Sequence, residues 1–195
     1  MTADEGDSAH RLRSITRTPT QLRTLNAALA LFAEHGVSGT SLKMIAEATG
    51  VTKAAIFYQF KTKDDLVLAV AEMELVPLEE AVERAERQTS RARARDALLR
   101  EVIDMAVDRR HFVSALQNDP VMIRMLANHE PLAELMERAY ALILQDGRLR
   151  SRVRIAIMGA MIGAAVVHPL VANIDDKTLR RELRSATRRL YGINV

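Results

Sequence analysis

Residues 40–66 read TSLKMIAEATGVTKAAIFYQFKTKDDL, and this stretch decides the fold. Two short helices fit on either side of Gly50-Val51. The first opens at Thr40-Ser41, where either hydroxyl can accept from free helix amides, and it turns Leu42, Ile45, Ala46 and Thr49 inward. The second starts at Thr52 and reaches Gln59, with Ile56 and Phe60 inward and Val51 just ahead of it. So short a connection forces the two helices into a tight crossing. Lys61-Thr62-Lys63-Asp64-Asp65-Leu66 then opens a further helix, with a threonine cap and acids in its first turn. That helix is expected to run to about Pro77 and to kink or restart there.

Upstream, the spacing predicts a helix from Thr18 to His35 with Leu22, Leu25, Leu29, Phe32 and Ala33 on one face. Pro19 suits its first turn and Gly36 its stop. Downstream, apolar spacing predicts helices over 78–89, 91–111, 112–117, 120–129, 131–145, 148–172 and 176–190. Pro120, Pro131 and Asp146-Gly147 punctuate them. No run alternates with period two for long enough to make a strand, so the chain reads as all-α. The one compositional bias is the arginine-rich SRARARD of residues 90–96.

A chain of 195 residues suits one ordinary domain or two small ones. With no cysteine, disulfide scaffolds, cysteine-ligated zinc, iron–sulfur clusters and thiol nucleophiles are excluded. The opening MTADEGDSAH lacks the basic-then-apolar order of an export signal, and a cytoplasmic location is expected. The uncharged run from Ile155 to Ile174 has the length of a membrane span, but Gly159, Gly163, His168, Pro169 and Asn173 dilute it, so no membrane association is expected. Charge is uneven along the chain. Residues 10–65 carry eight Lys or Arg against four acids, whereas 66–195 carry twenty against eighteen over more than twice the length. Positive charge is therefore densest where an anionic partner would be met.

The stretch 40–66 resembles the DNA-binding domain of the TetR family of transcriptional regulators. The resemblance rests on Thr40-Ser41, Ile45-Ala46, Gly50-Val51, Thr52-Lys53, Phe57-Tyr58-Gln59-Phe60 and Lys63-Asp64-Asp65-Leu66 in fixed register, together with ALALFAEHG at 28–36. It covers about residues 18–78. It implies a flexible tail over 1–17, a three-helix helix-turn-helix domain over 18–78 with its motif at 41–60, and a helical ligand-binding and dimerisation domain over 79–195. Two positions depart from the family's habit. Phe57 stands where many members carry a tyrosine whose hydroxyl resembles a phosphate donor, and Ala54 stands where Gly or Pro is common.

A helix-turn-helix lays its second helix in the major groove while the first crosses the backbone. Thr52, Lys53, Ala55, Phe57, Tyr58 and Gln59 are read as outward, with Lys53 and Gln59 nearest the bases. Thr40, Ser41, Lys43, Thr52, Tyr58, Lys61 and Lys63 are read as phosphate contacts. Ile45, Ile56 and Phe60 are core under any reading.

The remainder carries no comparable motif. Met105, Phe112, Leu116, Met122, Met125, Leu126, Met136, Tyr140 and Met158 are candidates to line a cavity for an apolar or amphipathic effector, against the plainer reading that they fill the core. Small residues at Ala156, Gly159, Ala160 and Gly163 let a second backbone approach, and with Leu183 they are the candidate homodimer interface. Arg180, Arg181, Arg184, Arg188 and Arg189 read most simply as a solvated face. No two of His111, His129 and His168 stand four apart, and no phosphate loop, nucleophile elbow or recognisable carboxylate pair occurs. Neither a metal, a cofactor nor an enzyme is therefore expected.

Two function classes follow. The favoured one is a ligand-responsive repressor that binds a palindromic duplex operator as a dimer and is released by a small molecule. The other is a helical small-molecule or protein-binding module that no longer reads DNA. Lys43, Lys53, Tyr58, Lys61 and Lys63 argue for the first.

Overall fold

The computed structural model describes residue 12, residues 15–144 and residues 149–191. Most of the expected 1–17 tail and the Asp146-Gly147 break lie outside the described residues. All regular structure among the described residues is helical: α1 Pro19–Gly39, α2 Leu42–Thr49, α3 Lys53–Gln59, α4 Lys63–Glu86, α5 Arg91–Asp108, α6 Arg110–Asn118, α7 Pro120–Ala127, α8 Glu130–Ile143, α9 Leu149–Val167 and α10 Asp176–Tyr191. A 3-10 turn spans Pro169–Val171.

The chain forms two compact units, residues 1–76 with 114–133, and residues 77–113 with 134–195. Residues 114–133, expected in the C-terminal domain, fold with the first unit.

In the first unit each helix is opened by a side-chain cap. Thr18 and Gln21 form a reciprocal capping box on α1, with Pro19 in the first turn. Gly36 then leaves the helical region at φ 72°, a conformation an L side chain resists, and ends the regular part of α1 as expected. Ser41 caps α2 through Met44 N–H, Thr52 caps α3 through Ala55 N–H, and Thr62 with Asp65 boxes the start of α4. Gly50, at φ 69°, closes α2 in the left-handed conformation. Leu25, Ala28, Phe32, Ile45, Ile56, Phe60 and Leu66 are buried. Leu22 departs from the expected inward face, since it is 39% exposed. From the later segment, Ala115, Met122 and Leu132 are buried, and α7 packs on α1.

The helix α4 runs through Pro77 without a restart, contrary to the expected separate helices. Proline in a helix interior removes one backbone bond and costs about 3 kcal/mol. Leu75, Leu78, Ala81, Val82 and Ala85 are all buried along this stretch. At about 1.5–3 kcal/mol for each fully buried Leu or Val, their burial outweighs that cost.

In the second unit α5 packs on α9 and α10. Leu99, Ile103, Ala106 and Val107 meet Met158, Ile162 and Val166 of α9 and Leu179 and Leu183 of α10. Across the same seam Arg184 lies 2.6 Å from Asp104, Arg180 pairs with Asp104 and Asp108, and Arg110 pairs with Asp176. Part of the arginine face expected to be solvated is thus turned onto α5, while Arg181, Arg188 and Arg189 remain exposed. No described helix is long and apolar enough to cross a membrane.

Candidate nucleic-acid interface

The caps of α2 and α3 leave a usable chemistry behind. Ser41 and Thr52 each accept a backbone N–H through the hydroxyl oxygen. Their hydroxyl protons remain free to donate to a phosphate. Lys43 is exposed and lies 3.6 Å from Glu47, a surface pair too weak to withhold the ammonium from a phosphate.

Helix α3 turns Ile56 into the core and presents Thr52, Lys53, Ala54, Phe57 and Tyr58 to solvent. Tyr58 is 85% exposed and Phe57 43% exposed. Large apolar rings held this far out are informative when they share one face with cations. Lys53 Nζ sits 5.7 Å from the Phe57 ring centroid and Lys61 Nζ 5.9 Å from that of Tyr58. Cation–π attraction of about 0.5–1 kcal/mol at exposed sites orients each pair. The face can therefore offer three ammonium groups, a phenol, two hydroxyls and an exposed small residue, Ala54.

Four sequence assignments change. Thr40 is 2% exposed, and its hydroxyl donates to the carbonyls of Gly36 (2.8 Å) and Leu31 (3.1 Å). It finishes α1 and has no access to a phosphate. Lys63 donates its ammonium to the carbonyls of Val37 (2.8 Å) and Thr40 (3.3 Å), so it clamps the α1–α2 connection. Gln59 is half-buried and lies 3.3 Å from the Thr24 hydroxyl, which holds its side chain against α1. Ala55, read as outward, is half-buried, and of the two small residues expected to allow close approach, Ala54 and Ala55, only Ala54 is exposed.

The candidate effector residues divide between the units. Leu116, Met122, Met125 and Leu126 lie in the first, and Met105, Phe112, Met136, Tyr140 and Met158 in the second. Met122 and Phe112 are buried, Met158 is part of the α5–α9–α10 core, and Tyr140 is 44% exposed. Met105 lines a pocket of about 130 Å³ in the second unit with Pro77, Leu78, Ala81, Glu101, Asp104, Asp108 and Arg109. Its acids are already paired, Glu101 with Arg84 at 3.4 Å and Asp104 and Asp108 with α10 arginines.

Of the candidate dimer residues, Ala156, Gly159 and Ala160 are exposed, whereas Gly163 and Leu183 are buried within the subunit. Val153, Ile157 and Ala164 join the exposed three to form a stripe at helical spacing along α9. His129 lies 3.4 Å from Glu72, and His168 Nδ1 accepts from Leu170 N–H. Among the described residues no group of His, Asp and Glu is disposed to hold a metal.

The family model for bacterial regulatory proteins of the tetR family matches residues 25–70. The chain is similar to the HTH-type transcriptional regulator AcrR of Shigella flexneri, 48% identical over 28% of this chain but only 25% of that protein. It is also similar to the HTH-type transcriptional repressor AcnR of Corynebacterium efficiens, 30% identical over 69% of this chain and 71% of the repressor. Its fold resembles that of the regulator FadR of Bacillus subtilis, solved in complex with stearoyl-CoA, at a TM-score of 0.61 and 17% identity, over 88% of this chain and 98% of the other. The family model falls on the helices that carry the exposed aromatic and basic face, and the likeness to the repressor extends well beyond them: the chain belongs to the tetR family of bacterial regulatory proteins.

Proposed function

We propose that this DNA-binding transcriptional regulator is a repressor that grips a roughly palindromic operator as a homodimer and is released by a small apolar or amphipathic effector. The observation that carries the DNA-reading part is the exposed α3 face, where Lys53, Phe57, Tyr58 and Lys61 project together beside the hydroxyl-capped starts of α2 and α3. A binding module that had ceased to read DNA would have no use for a lone tyrosine at 85% exposure flanked by lysines. Repression is supported by the name of the AcnR relative. Dimerisation is supported by the exposed α9 stripe, because small residues allow close helix approach and a two-fold dimer uses the same patch twice.

The effector part is supported by the FadR neighbour, which was captured with an acyl-CoA. The Met105 pocket, about 130 Å³, is smaller than the roughly 300–1,000 Å³ of drug-sized ligand sites, so an effector of that size has to widen it. Pro77 on its wall lies within α4, the helix that also carries Lys63 at its first turn. Displacement of α4 by ligand is therefore a direct way to move the reading face, and coupling of about 1–3 kcal/mol would weaken DNA binding roughly 5- to 150-fold.

Lys61→Ala tests the phosphate role. Its affinity for every duplex is expected to fall similarly, and the slope of log K against log salt to flatten by about one per subunit. Lys53→Ala is expected instead to cost about 1–3 kcal/mol on the preferred duplex and less on others, because it faces base edges. Anisotropy titrations on a preferred and a scrambled duplex separate the two. A sequence-selective loss in the first variant, or a uniform loss in the second, would reverse the assignment.

A further inference from the structure

We infer that Asp119 is a positioning residue for the DNA-reading face: a carboxylate brought from 82 residues away that latches the connection between α1 and α2. The inference rests on the DNA-reading function proposed above. Residues 114–133 are an excursion of the chain into the first unit, since the residues flanking them on both sides belong to the second. Asp119 is the cap of α7, and one carboxylate oxygen, Oδ1, accepts both Val121 N–H (2.8 Å) and Met122 N–H (3.3 Å). That single oxygen completes the capping task. The other oxygen, Oδ2, accepts the backbone N–H of Val37.

The surroundings are built for this bond. Asp119 is 6% exposed and Val37 1% exposed. Gly36 adopts φ 72°, and a Cβ there would stand 3.2 Å from the same Asp119 oxygen, so the close approach also needs glycine's missing side chain. On its other side, the Val37 carbonyl accepts Lys63 Nζ at 2.8 Å. Residues 37–40 are thus held between an anion on α7 and a cation on α4, and the next residue, Ser41, is the cap of α2. Hydrogen bonds to ionised groups are shorter and stronger than neutral ones, and buried amides left without them are costly. Releasing one side lets the start of α2 shift and, through the Gly50-Val51 turn, α3 with it. A recognition surface tolerates misplacement of only about 0.5 Å.

Asp119→Asn tests this with a side chain of the same shape. Asparagine caps helices as well as aspartate, but it has one carbonyl oxygen and one NH2 group, so it cannot accept from both α7 and Val37. The first readout, in the full-length protein, is amide hydrogen exchange at Val37 relative to Leu25. The variant is expected to exchange Val37 at least about tenfold faster with Leu25 unchanged, which separates local release from global opening. The second readout uses a duplex selected from a random pool by the native protein, and a random-sequence duplex. The ratio of the two affinities is expected to fall about tenfold or more, with non-specific affinity retained. A merely structural role would lower both affinities together. Asp119→Ser, which keeps a cap but is too short to reach Val37, serves if the asparagine variant is unstable. Unchanged Val37 exchange in both the asparagine and the serine variant overturns the latch, and faster exchange with an unchanged affinity ratio overturns its positioning role. If the native protein selects no duplex, the DNA-reading proposal and the positioning role fall with it, while Val37 exchange still decides whether the latch exists.

Discussion

Replacing Ile157 by Asp is expected to leave the protein monomeric at micromolar concentration and to weaken binding to its preferred duplex by about two orders of magnitude. Ile157 is 56% exposed on α9, between Val153, Ala156, Ala160 and Ala164, which share its face. As an isolated surface residue it would tolerate a carboxylate within about 0.5 kcal/mol, so folding is expected to survive. In a two-fold interface the charge enters twice, near its own copy, and must be desolvated there. Dimer loss then removes one of two recognition helices per operator, and an intramolecular second contact is typically worth about 10²–10⁴ in affinity. Gly159→Leu acts on the same face by bulk, since no atom lies within 4 Å of the Cβ it would introduce in the subunit. Gly163→Leu does not serve as its equivalent, because Gly163 is buried and the substitution would strike the subunit's own packing. Sedimentation velocity with duplex titration reads all three. A dimeric Ile157→Asp protein with native affinity would remove α9 from the interface.

The second large effect is on stability. Lys63→Met is expected to cost about 2 kcal/mol, because Lys63 makes charge-assisted bonds to the carbonyls of Val37 and Thr40, and such bonds are worth about 1.5–3 kcal/mol. For a chain of this size that lowers the melting temperature by about 4–8 °C. The salt slope of DNA binding is expected to stay where it was, in contrast to Lys61→Ala, which should change the slope and spare the melting temperature. A Lys63→Met protein with native stability and a flattened slope would return Lys63 to the phosphate backbone. The two lysines stand two residues apart in one short basic segment, yet they belong to different kinds of interaction.

That pair also marks how far the sequence could be read. Gly36, Gly50, Ser41, Thr52 and Thr62 punctuate the first unit as expected, because capping and left-handed turns depend on residues three or four positions away. The inward placement of Ile45, Ile56 and Phe60 follows from helical spacing for the same reason. What was missed depends on distant partners. Lys63 looked like a phosphate ligand because nothing nearby in sequence claims its ammonium, and the claimants are carbonyls 23 and 26 residues back. Nothing near Asp119 in the sequence points to Val37, which its second oxygen reaches. Pro77 was overridden by the burial around it. Arg180 and Arg184 carried no local sign that Asp104 and Asp108 would face them. The methionines were legible only as apolar, and burial of Met122 and Met158 in two different units shows that composition does not define a pocket.

In the proposed complex, duplex DNA lies against the face formed by the starts of α2 and α3 and the aromatic pair of α3, and this contact carries the affinity. It is tested most directly by the salt dependence of affinity for a duplex selected by the native protein from a random pool. Lys43 and Lys61 give two exposed cations per subunit for phosphates on this face, Lys53 being assigned to base edges. With two subunits on the operator, log K is expected to fall linearly with log salt at a slope of about −4, and Tyr58→Ala is expected to lower K at every salt concentration. A slope near zero, or a Tyr58→Ala protein that binds as the native one does, would contradict the claim.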